Sequence, residues 1–248
     1  MDLGLKSKTA LLTGASRGLG FATARMLAQE GVRVAINSRS PEHLAKAKEE
    51  LGALASDVLT LPGDVTQPGN PQRLVASVIE SFGGLDLLFT NAGGPPPAPF
   101  EDISDETWDE AIQLSFMSHV RLIRAALPAL KRSETPSVLT VTSISVKQPI
   151  PNLVLSNSIR AATAGLTKTL ALELGPAGIR FNSILPSWTH TERVEELLED
   201  RAERKGTSVQ AEIDAQMSRA HWAGWDNRMS LPERPPSCSP PLPLTSQA

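Results

Sequence analysis

The sequence contains no tyrosine and only one cysteine, Cys238, among its 248 residues. The absence of a phenol excludes tyrosine as a proton donor anywhere in the chain. A single cysteine excludes both an intrachain disulfide and a metal site built from several thiolates. Any catalytic chemistry therefore has to come from other side chains.

Long apolar runs and a strong charge of one sign are also missing. No run approaches the about 20 residues that are needed to span a bilayer. The net charge of −3 gives no reason to expect a nucleic acid or an anionic membrane as partner. The first predicted strand begins at Thr9, which leaves no room for a signal peptide. We therefore expect a cytoplasmic protein with one α/β domain.

The most informative stretch follows the first apolar run. Residues 9–12 are predicted to form a buried strand, and Gly14, Gly18 and Gly20 precede an apolar-periodic helix. A dinucleotide fingerprint requires this order of strand, glycine turn and helix. Gly14 permits a tight turn, Gly18 lets the backbone approach a pyrophosphate, and Gly20 lets the helix pack closely on the strand. The helix N-terminus adds free N–H groups for the phosphates.

Strands and helices alternate along the chain as far as residue 219. Apolar runs predict five further strands, at residues 32–36, 58–61, 85–90, 137–142 and 180–185. Periodic segments predict further helices at residues 41–51, 70–82, 104–130, 153–174, 192–204 and 208–219. Ser40 is the predicted N-cap of the first of these, with Pro41 at its first position. The alternation predicts an α/β fold, a Rossmann-type doubly wound parallel sheet covered by helices in three layers. Ligands then bind beyond the C-terminal ends of the strands.

The end of the second strand indicates which nicotinamide cofactor is preferred. Asn37, Ser38 and Arg39 stand there, and none of them is acidic. Enzymes that prefer NAD usually place an acid here against the ribose 2′-hydroxyl. The guanidinium groups of Arg39 and Arg17 match the geometry of a 2′-phosphate instead. The sequence therefore favours NADP(H) over NAD(H), and the alternative is that both arginines are simply solvated.

The form Thr-Gly-x-x-x-Gly-x-Gly, together with Asn91-Ala-Gly93, resembles the classical short-chain dehydrogenase/reductase family. The resemblance extends from residue 5 to residue 219 and implies a nicotinamide cofactor. The run from Leu155 to Arg160 resembles a divergent branch, related to 3-oxoacyl-ACP reductases, that lacks the catalytic tyrosine.

The resemblance also implies cofactor contacts along the strand ends. Asp64 and Val65 resemble the pair that contacts adenine, and Trp188 and Thr191 stand where the family contacts the carboxamide. Ser187 departs from the family, which has glycine after the proline that stands here at Pro186. The full predicted set is Gly14, Ser16, Arg17, Gly18, Leu19, Gly20, Ser38, Arg39, Asp64, Val65, Asn91, Ala92, Gly93, Arg160, Pro186, Trp188 and Thr191.

The catalytic positions depart from the family, which uses serine, tyrosine, lysine and a helper asparagine. A hydrogen-bond donor has to meet the charge that develops on the carbonyl oxygen, and a positioned acid supplies the proton. Ser143 matches the family serine, whereas Ser156, Arg160 and Ser115 replace the tyrosine, the lysine and the asparagine respectively. Ser156 is too weakly acidic and too short to replace a phenol. Arg160 keeps its proton, and we expect it to hold the nicotinamide ribose.

Two other side chains are candidates for the missing proton donor. Lys147 lies four residues after Ser143, and His190 lies on the loop after the sixth predicted strand. The pKa of histidine suits proton transfer near neutral pH. The alternative for each of them is a solvated surface position.

The composition changes at His221. Six prolines lie between Pro232 and Pro243, and no strand can be predicted there. We therefore divide the chain into a dinucleotide-binding domain, residues 1–219, and an irregular tail, residues 220–248, which leaves the sheet without the family's last strand. One hypothesis is a reading-frame change near Ala220, because a shift of one base allows the family-like stretch Pro-Leu-Gly-Arg-Met-Gly-Gln-Pro-Asp-Glu-Phe-Ala. The alternative is a natural proline-rich tail that binds a partner.

These observations predict an NADP(H)-dependent oxidoreductase that transfers a hydride to or from a small carbonyl compound or secondary alcohol. The alternative is a catalytically impaired nucleotide-binding protein, which the missing tyrosine favours. No metal site is predicted. Two long helices often pair between subunits of the family, so the resemblance implies a homodimer or homotetramer.

Overall fold

The computed structural model describes residues 3–54, 57–189 and 191–219, so the predicted tail and His190 lie outside the described residues. The strands form one parallel sheet in the order β3-β2-β1-β4-β5-β6. They are β1 (Thr9–Leu12), β2 (Arg33–Ser38), β3 (Val58–Pro62), β4 (Leu87–Thr90), β5 (Ser137–Val141) and β6 (Arg180–Ile184). The predicted doubly wound sheet is therefore confirmed.

The helices lie close to the predicted positions. They are α1 (Gly18–Gln29), α2 (Pro41–Gly52), α3 (Asn70–Phe82), α4 (Asp105–Ile112), α5 (Ser118–Leu130), α6 (Val154–Leu174), α7 (Glu192–Lys205) and α8 (Val209–Arg219). The predicted cap of α2 is present, because the Ser40 side chain accepts a hydrogen bond of 3.2 Å from the His43 backbone N–H.

Two apolar clusters, one on each face of the sheet, form most of the core. Successive side chains of a strand point to opposite faces. Leu11 accordingly packs with Leu88 and Val138 on one face, and its neighbour Leu12 packs with Ile36 on the other. Because helices cover both faces, all four residues of β1 are buried. This explains why β1 has a continuous apolar run rather than an alternating pattern.

The order of the strands reverses at β1. The chain runs from β1 outward to β3 on one side, and then returns to place β4 against the other side of β1. A crevice forms outside the carboxyl ends of the strands at such a switch point. The glycine turn after β1 and Asn91 after β4 therefore meet at this edge.

The prediction of one continuous helix over residues 104–130 is wrong. The segment consists of α4, a π-helical turn (Gln113–Met117) and α5. The wider turn frees backbone carbonyls from the regular pattern. One of them, the Ser115 carbonyl, accepts a hydrogen bond of 2.8 Å from Thr163 Oγ1 on α6.

Candidate active site

An open cleft of about 470 Å³ lies along the C-terminal edge of the sheet. Its lining comes from the glycine turn, from the segments after β2 to β6, and from α6 and the first turns of α7. All of the predicted cofactor residues line this cleft except Gly20. Of the predicted catalytic residues, Ser143, Ser156 and Arg160 line the cleft, whereas Ser115 does not.

Two glycines of the turn are required by close backbone contacts. A Cβ atom on Gly20 would lie 2.3 Å from the Gly14 carbonyl oxygen, so only glycine lets α1 pack this closely against the turn. Gly14 has a φ of +56°, and a Cβ there would lie 2.9 Å from the Asn91 carbonyl oxygen. Gly20 therefore does not line the cleft itself, but it lets α1 pack against the turn that does.

Asn91 joins the end of β4 to the glycine turn. Its side-chain amide donates a hydrogen bond of 3.1 Å to the Gly14 carbonyl oxygen. Its backbone exchanges two hydrogen bonds with the Thr13 hydroxyl, which donates to the Asn91 carbonyl at 2.8 Å and accepts from its N–H at 3.0 Å. These contacts fix the crevice between β1 and β4 by hydrogen bonds within the chain.

The three residues at the end of β2 have different roles. Asn37 is buried, and its amide donates to the Leu61 and Gly63 carbonyl oxygens at 2.8 and 3.0 Å, so it holds β3. Asn37, Ser38 and Arg39 all line the cleft, but the Asn37 amide is engaged by these two bonds. Asp64, which also lines it, accepts hydrogen bonds of 2.9 and 2.8 Å from the Thr66 N–H and hydroxyl.

The start of α1 fits a phosphate group. Arg17 occupies the N-cap position, no side chain caps the helix, and its first turn contains no acidic residue. The first N–H groups of a helix have no partner within the helix, and they carry the positive end of its dipole. Gly18, the first residue of α1, lines the cleft with a φ of +56°. The residues present therefore fit the pyrophosphate of a dinucleotide.

Ser143 lies in the cleft directly beyond β5. Its Oγ accepts a hydrogen bond of 3.1 Å from the Ser145 N–H, which leaves the hydroxyl proton available for another acceptor. The next residue, Ile144, donates its N–H to the Pro186 carbonyl at 2.9 Å. This bond joins the segments that follow β5 and β6, so Ser143 and the loop containing Trp188 form one wall.

Arg160 lies on α6 and donates hydrogen bonds from all three guanidinium nitrogens to the protein. Its Nε donates to Ser156 Oγ at 3.2 Å, and its Nη1 donates to the Val141 and Thr142 carbonyl oxygens, both at 3.2 Å. Its Nη2 donates to the Gly93 carbonyl at 3.5 Å. Arg160 thus joins α6 to the ends of β4 and β5. A ribose hydroxyl would have to share one of these nitrogens.

Ser115 lies in the π-helical turn, away from the cleft lining. Its side chain is buried, and its Oγ has no hydrogen-bond partner among the residues that the structure describes. Because a serine side chain is shorter than the asparagine of the family, the Ser115 hydroxyl stays buried and does not reach the cleft. The role predicted for Ser115 stays a prediction.

A buried histidine that the sequence analysis did not single out lies beneath Arg160. His119 on α5 is 1% exposed, and its Nδ1 lies 2.7 Å from Thr90 Oγ1. Burial is the larger cause and the positive charge of Arg160 the smaller one, and together they lower the pKa of His119 to about 3. The imidazole is therefore neutral at physiological pH.

The first two turns of α7 cover part of the cleft, which the sequence analysis did not predict. Glu192, Val194, Glu196 and Leu197 all contribute to the lining. The sequence feature that could have indicated this cover is the charged helix predicted at residues 192–204, shortly after the last predicted strand. Lys147, one of the candidate proton donors, is exposed and lies outside the lining.

The sequence model of the short chain dehydrogenase family matches residues 8–202. The chain belongs to the short-chain dehydrogenase/reductase family. Among its relatives is the D-beta-hydroxybutyrate dehydrogenase of Rhizobium meliloti (strain 1021), which is 32% identical over 213 residues. That match covers 85% of this chain and 83% of the relative. The predicted family is therefore confirmed.

Solved structures of reductases have the same fold. L-Sorbose reductase from Gluconobacter frateurii, complexed with NADPH and L-sorbose, has a TM-score of 0.82 and 30% identity, over 88% of this chain and 84% of that chain. The NADH-dependent reductase A1-R′, complexed with NAD, has a TM-score of 0.72 and 29% identity, over 77% of this chain and 82% of that chain. This short-chain dehydrogenase/reductase is therefore similar to proteins that bind either nicotinamide cofactor.

The residues that the structure describes contain neither a membrane-spanning helix nor a cluster of metal ligands. No helix in that part of the chain is long and apolar enough to cross a membrane. Within the same residues, no group of three histidine, cysteine, aspartate or glutamate side chains is arranged to hold a metal ion.

Proposed function

We propose that this short-chain dehydrogenase/reductase uses NADP(H) to interconvert a small carbonyl compound and its secondary alcohol. The observation that supports the proposal is the convergence of the glycine turn, Arg39, Asn91 and Ser143 on one cleft. The nicotinamide cofactor, when bound, supplies or accepts the hydride. Its phosphates fit the uncapped start of α1, and its nicotinamide end would lie towards Ser143 and Trp188.

Ser143 is the residue that we assign to the substrate oxygen. Negative charge develops on that oxygen as the carbonyl is reduced, and a preorganised donor stabilises it. Ser143 Oγ accepts a hydrogen bond from the Ser145 N–H, which fixes the position of the oxygen. The hydroxyl proton of Ser143 is then free to point at the substrate. The guanidinium of Arg160 adds a positive charge close to this group.

The preference for NADP(H) rests on the residues around the adenine end. Ser38 and Arg39 line the cleft beyond β2, and no carboxylate stands at the end of that strand. A guanidinium binds a phosphate better than it binds a pair of hydroxyl groups, because its N–H fork matches the phosphate oxygens. Reduction is the favoured direction, since a preference for NADPH usually accompanies it.

The test is a fluorescence titration of the purified full chain with NADPH and NADH, followed by turnover on a panel of carbonyl compounds. We expect tighter binding of NADPH, and turnover that falls by about 100-fold or more in Ser143→Ala. Ser145→Ala is the matched control, because it removes a nearby buried hydroxyl that has no hydrogen-bond partner. Absence of binding to either cofactor would contradict the proposal.

A second function, nucleotide binding without turnover, is favoured by one specific observation. The chain has no tyrosine, and the arginine at the family's lysine position donates its hydrogen bonds to backbone carbonyls and a serine. Tight binding without turnover on any carbonyl or alcohol would support this function. Assembly as a homodimer or homotetramer, a cytoplasmic location and a proton-donating role for Lys147 or His190 stay predictions.

A further inference from the structure

Arg17 and Glu192 form an ion pair across the cleft. Arg17 precedes α1 in the glycine turn, and Glu192 is the first residue of α7. Both side chains line the cleft, and each is more than half exposed, at 55% and 57%. The pair therefore joins the phosphate-binding turn to the helix that covers it.

We propose that Glu192 sets the discrimination between NADPH and NADH, because its carboxylate competes with the cofactor 2′-phosphate for Arg17. The proposal rests on the proposed function and on the prediction that Arg17 binds that phosphate together with Arg39. Glu192 belongs to neither the glycine turn nor the end of β2, where the sequence analysis sought the specificity residues.

A second contact shows that the start of α7 lies against the glycine turn. A Cβ atom placed on Gly18 would lie 3.7 Å from the methyl carbon of Thr191. Thr191 occupies the N-cap position of α7, and its side chain makes no capping hydrogen bond. Glu192 is therefore held beside Arg17 by the position of the backbone as well as by charge.

The two arginines differ in what surrounds them. Arg17 is paired with Glu192, whereas Arg39 makes no ion pair with any residue in the described ranges. A 2′-phosphate that recruits Arg17 has to displace the Glu192 carboxylate from it. NADH has no 2′-phosphate, so it does not need to break the pair in this way. The carboxylate therefore weakens the binding of NADPH more than that of NADH.

The size of the effect follows from the exposure of the pair. Ion pairs at the surface contribute about 0.2–1 kcal/mol, which corresponds to about a 1.4- to fivefold change in affinity. Salt screens such pairs, so the effect decreases as the ionic strength rises above about 0.1 M. Glu192→Gln keeps the shape of the side chain and removes its charge.

The experiment measures the dissociation constants of NADPH and NADH for the wild-type chain and for Glu192→Gln at low salt. We expect the variant to bind NADPH about 1.4- to fivefold more tightly, with a smaller change for NADH. Glu199→Gln is the control, because it removes the same charge from the same helix outside the cleft lining. In an Arg17→Gln background, Glu192→Gln should no longer improve NADPH binding.

Three results would overturn the proposal: an equal change for both cofactors, no change for either, or an improvement for NADPH that persists without Arg17. Because the readout is binding, the absence of turnover does not affect it. A wild-type chain that binds neither cofactor would overturn the proposed function as well, whereas binding with an unchanged ratio would overturn only the role of Glu192.

Discussion

Arg160 Nη1 donates a hydrogen bond of 3.2 Å to the carbonyl oxygen of Thr142, the residue directly before Ser143. The same nitrogen donates at 3.2 Å to the Val141 carbonyl, at the end of β5. Arg160, which the resemblance aligns with the family lysine, therefore holds the backbone from which the candidate catalytic serine projects. Its position in the cleft combines this structural role with a positive charge beside Ser143.

Removal of the Arg160 guanidinium should destabilise the fold. Arg160→Met keeps the length of the side chain but leaves the carbonyls of Val141 and Thr142 without these donors. We expect the free energy of unfolding to fall by about 1–3 kcal/mol, measured by urea denaturation. Arg124→Met on the exposed face of α5 is the control. An unchanged midpoint in the Arg160 variant would show that these hydrogen bonds add no stability.

The family's catalytic pair can be restored by two substitutions in the same turn of α6. Ser156 and Arg160 are four residues apart, and their side chains are in contact, with Nε and Oγ separated by 3.2 Å. In the double variant Ser156→Tyr, Arg160→Lys, the ammonium group would lower the pKa of the phenol. We expect turnover to rise by about 100-fold, as for general acid catalysis. Equal turnover in the wild-type chain and the double variant would mean that the proton donor lies elsewhere.

Ser38→Asp should reverse the cofactor preference. The new carboxylate would stand in the cleft at the end of β2, where it repels a 2′-phosphate and accepts hydrogen bonds from ribose hydroxyls. We expect the affinity for NADPH to fall by about tenfold or more, which is 1.4 kcal/mol, with little loss for NADH. Ser38→Asn is the uncharged control. A parallel loss for both cofactors would indicate damage to the site rather than a change of preference.

Gly20 should tolerate no side chain. In Gly20→Ala, the Cβ atom would lie 2.3 Å from the Gly14 carbonyl oxygen and 2.8 Å from the Ala15 Cα atom, so the glycine turn has to shift. We expect a loss of about 3 kcal/mol in the free energy of unfolding, together with weaker cofactor binding. Gly52→Ala is the control, because nothing lies within 4 Å of its Cβ position. Wild-type stability in Gly20→Ala would contradict the close packing seen here.

His119 should make stability depend on pH. Burial lowers its pKa from 6.5 to about 3 in the folded state, whereas the unfolded chain takes up a proton near pH 6.5. The stabilising contribution is therefore complete above pH 6.5 and is lost as the pH falls towards 3, by at most about 1.4 kcal/mol per pH unit. Thermal unfolding at pH 7 and pH 5 should show a smaller difference in stability for His119→Asn than for the wild-type chain. His43→Asn, at an exposed position, should leave that difference unchanged.

Local sequence patterns determined most of the fold. The continuous apolar run of residues 9–12 predicted a strand buried on both faces, because a strand covered by helices needs no polar side. Ser40 followed by Pro41 predicted the start of α2, since capping and a fixed φ act over one turn. The three glycines predicted the turn against which α1 packs. These features depend on neighbours along the chain, so the sequence alone was sufficient for them.

Contacts between distant segments were decided only by the tertiary structure. Ser38 and Asn37 are adjacent in sequence and both line the cleft, yet Asn37 is buried and its amide bonds to the segment around β3. The resemblance placed Ser115 at the position of the family asparagine, and only the structure shows that its hydroxyl is buried in a π-helical turn. The pairing of Arg17 with Glu192 depends on where α7 lies over the cleft. Such contacts arise from the packing of elements far apart in sequence, and no periodicity or local motif encodes them.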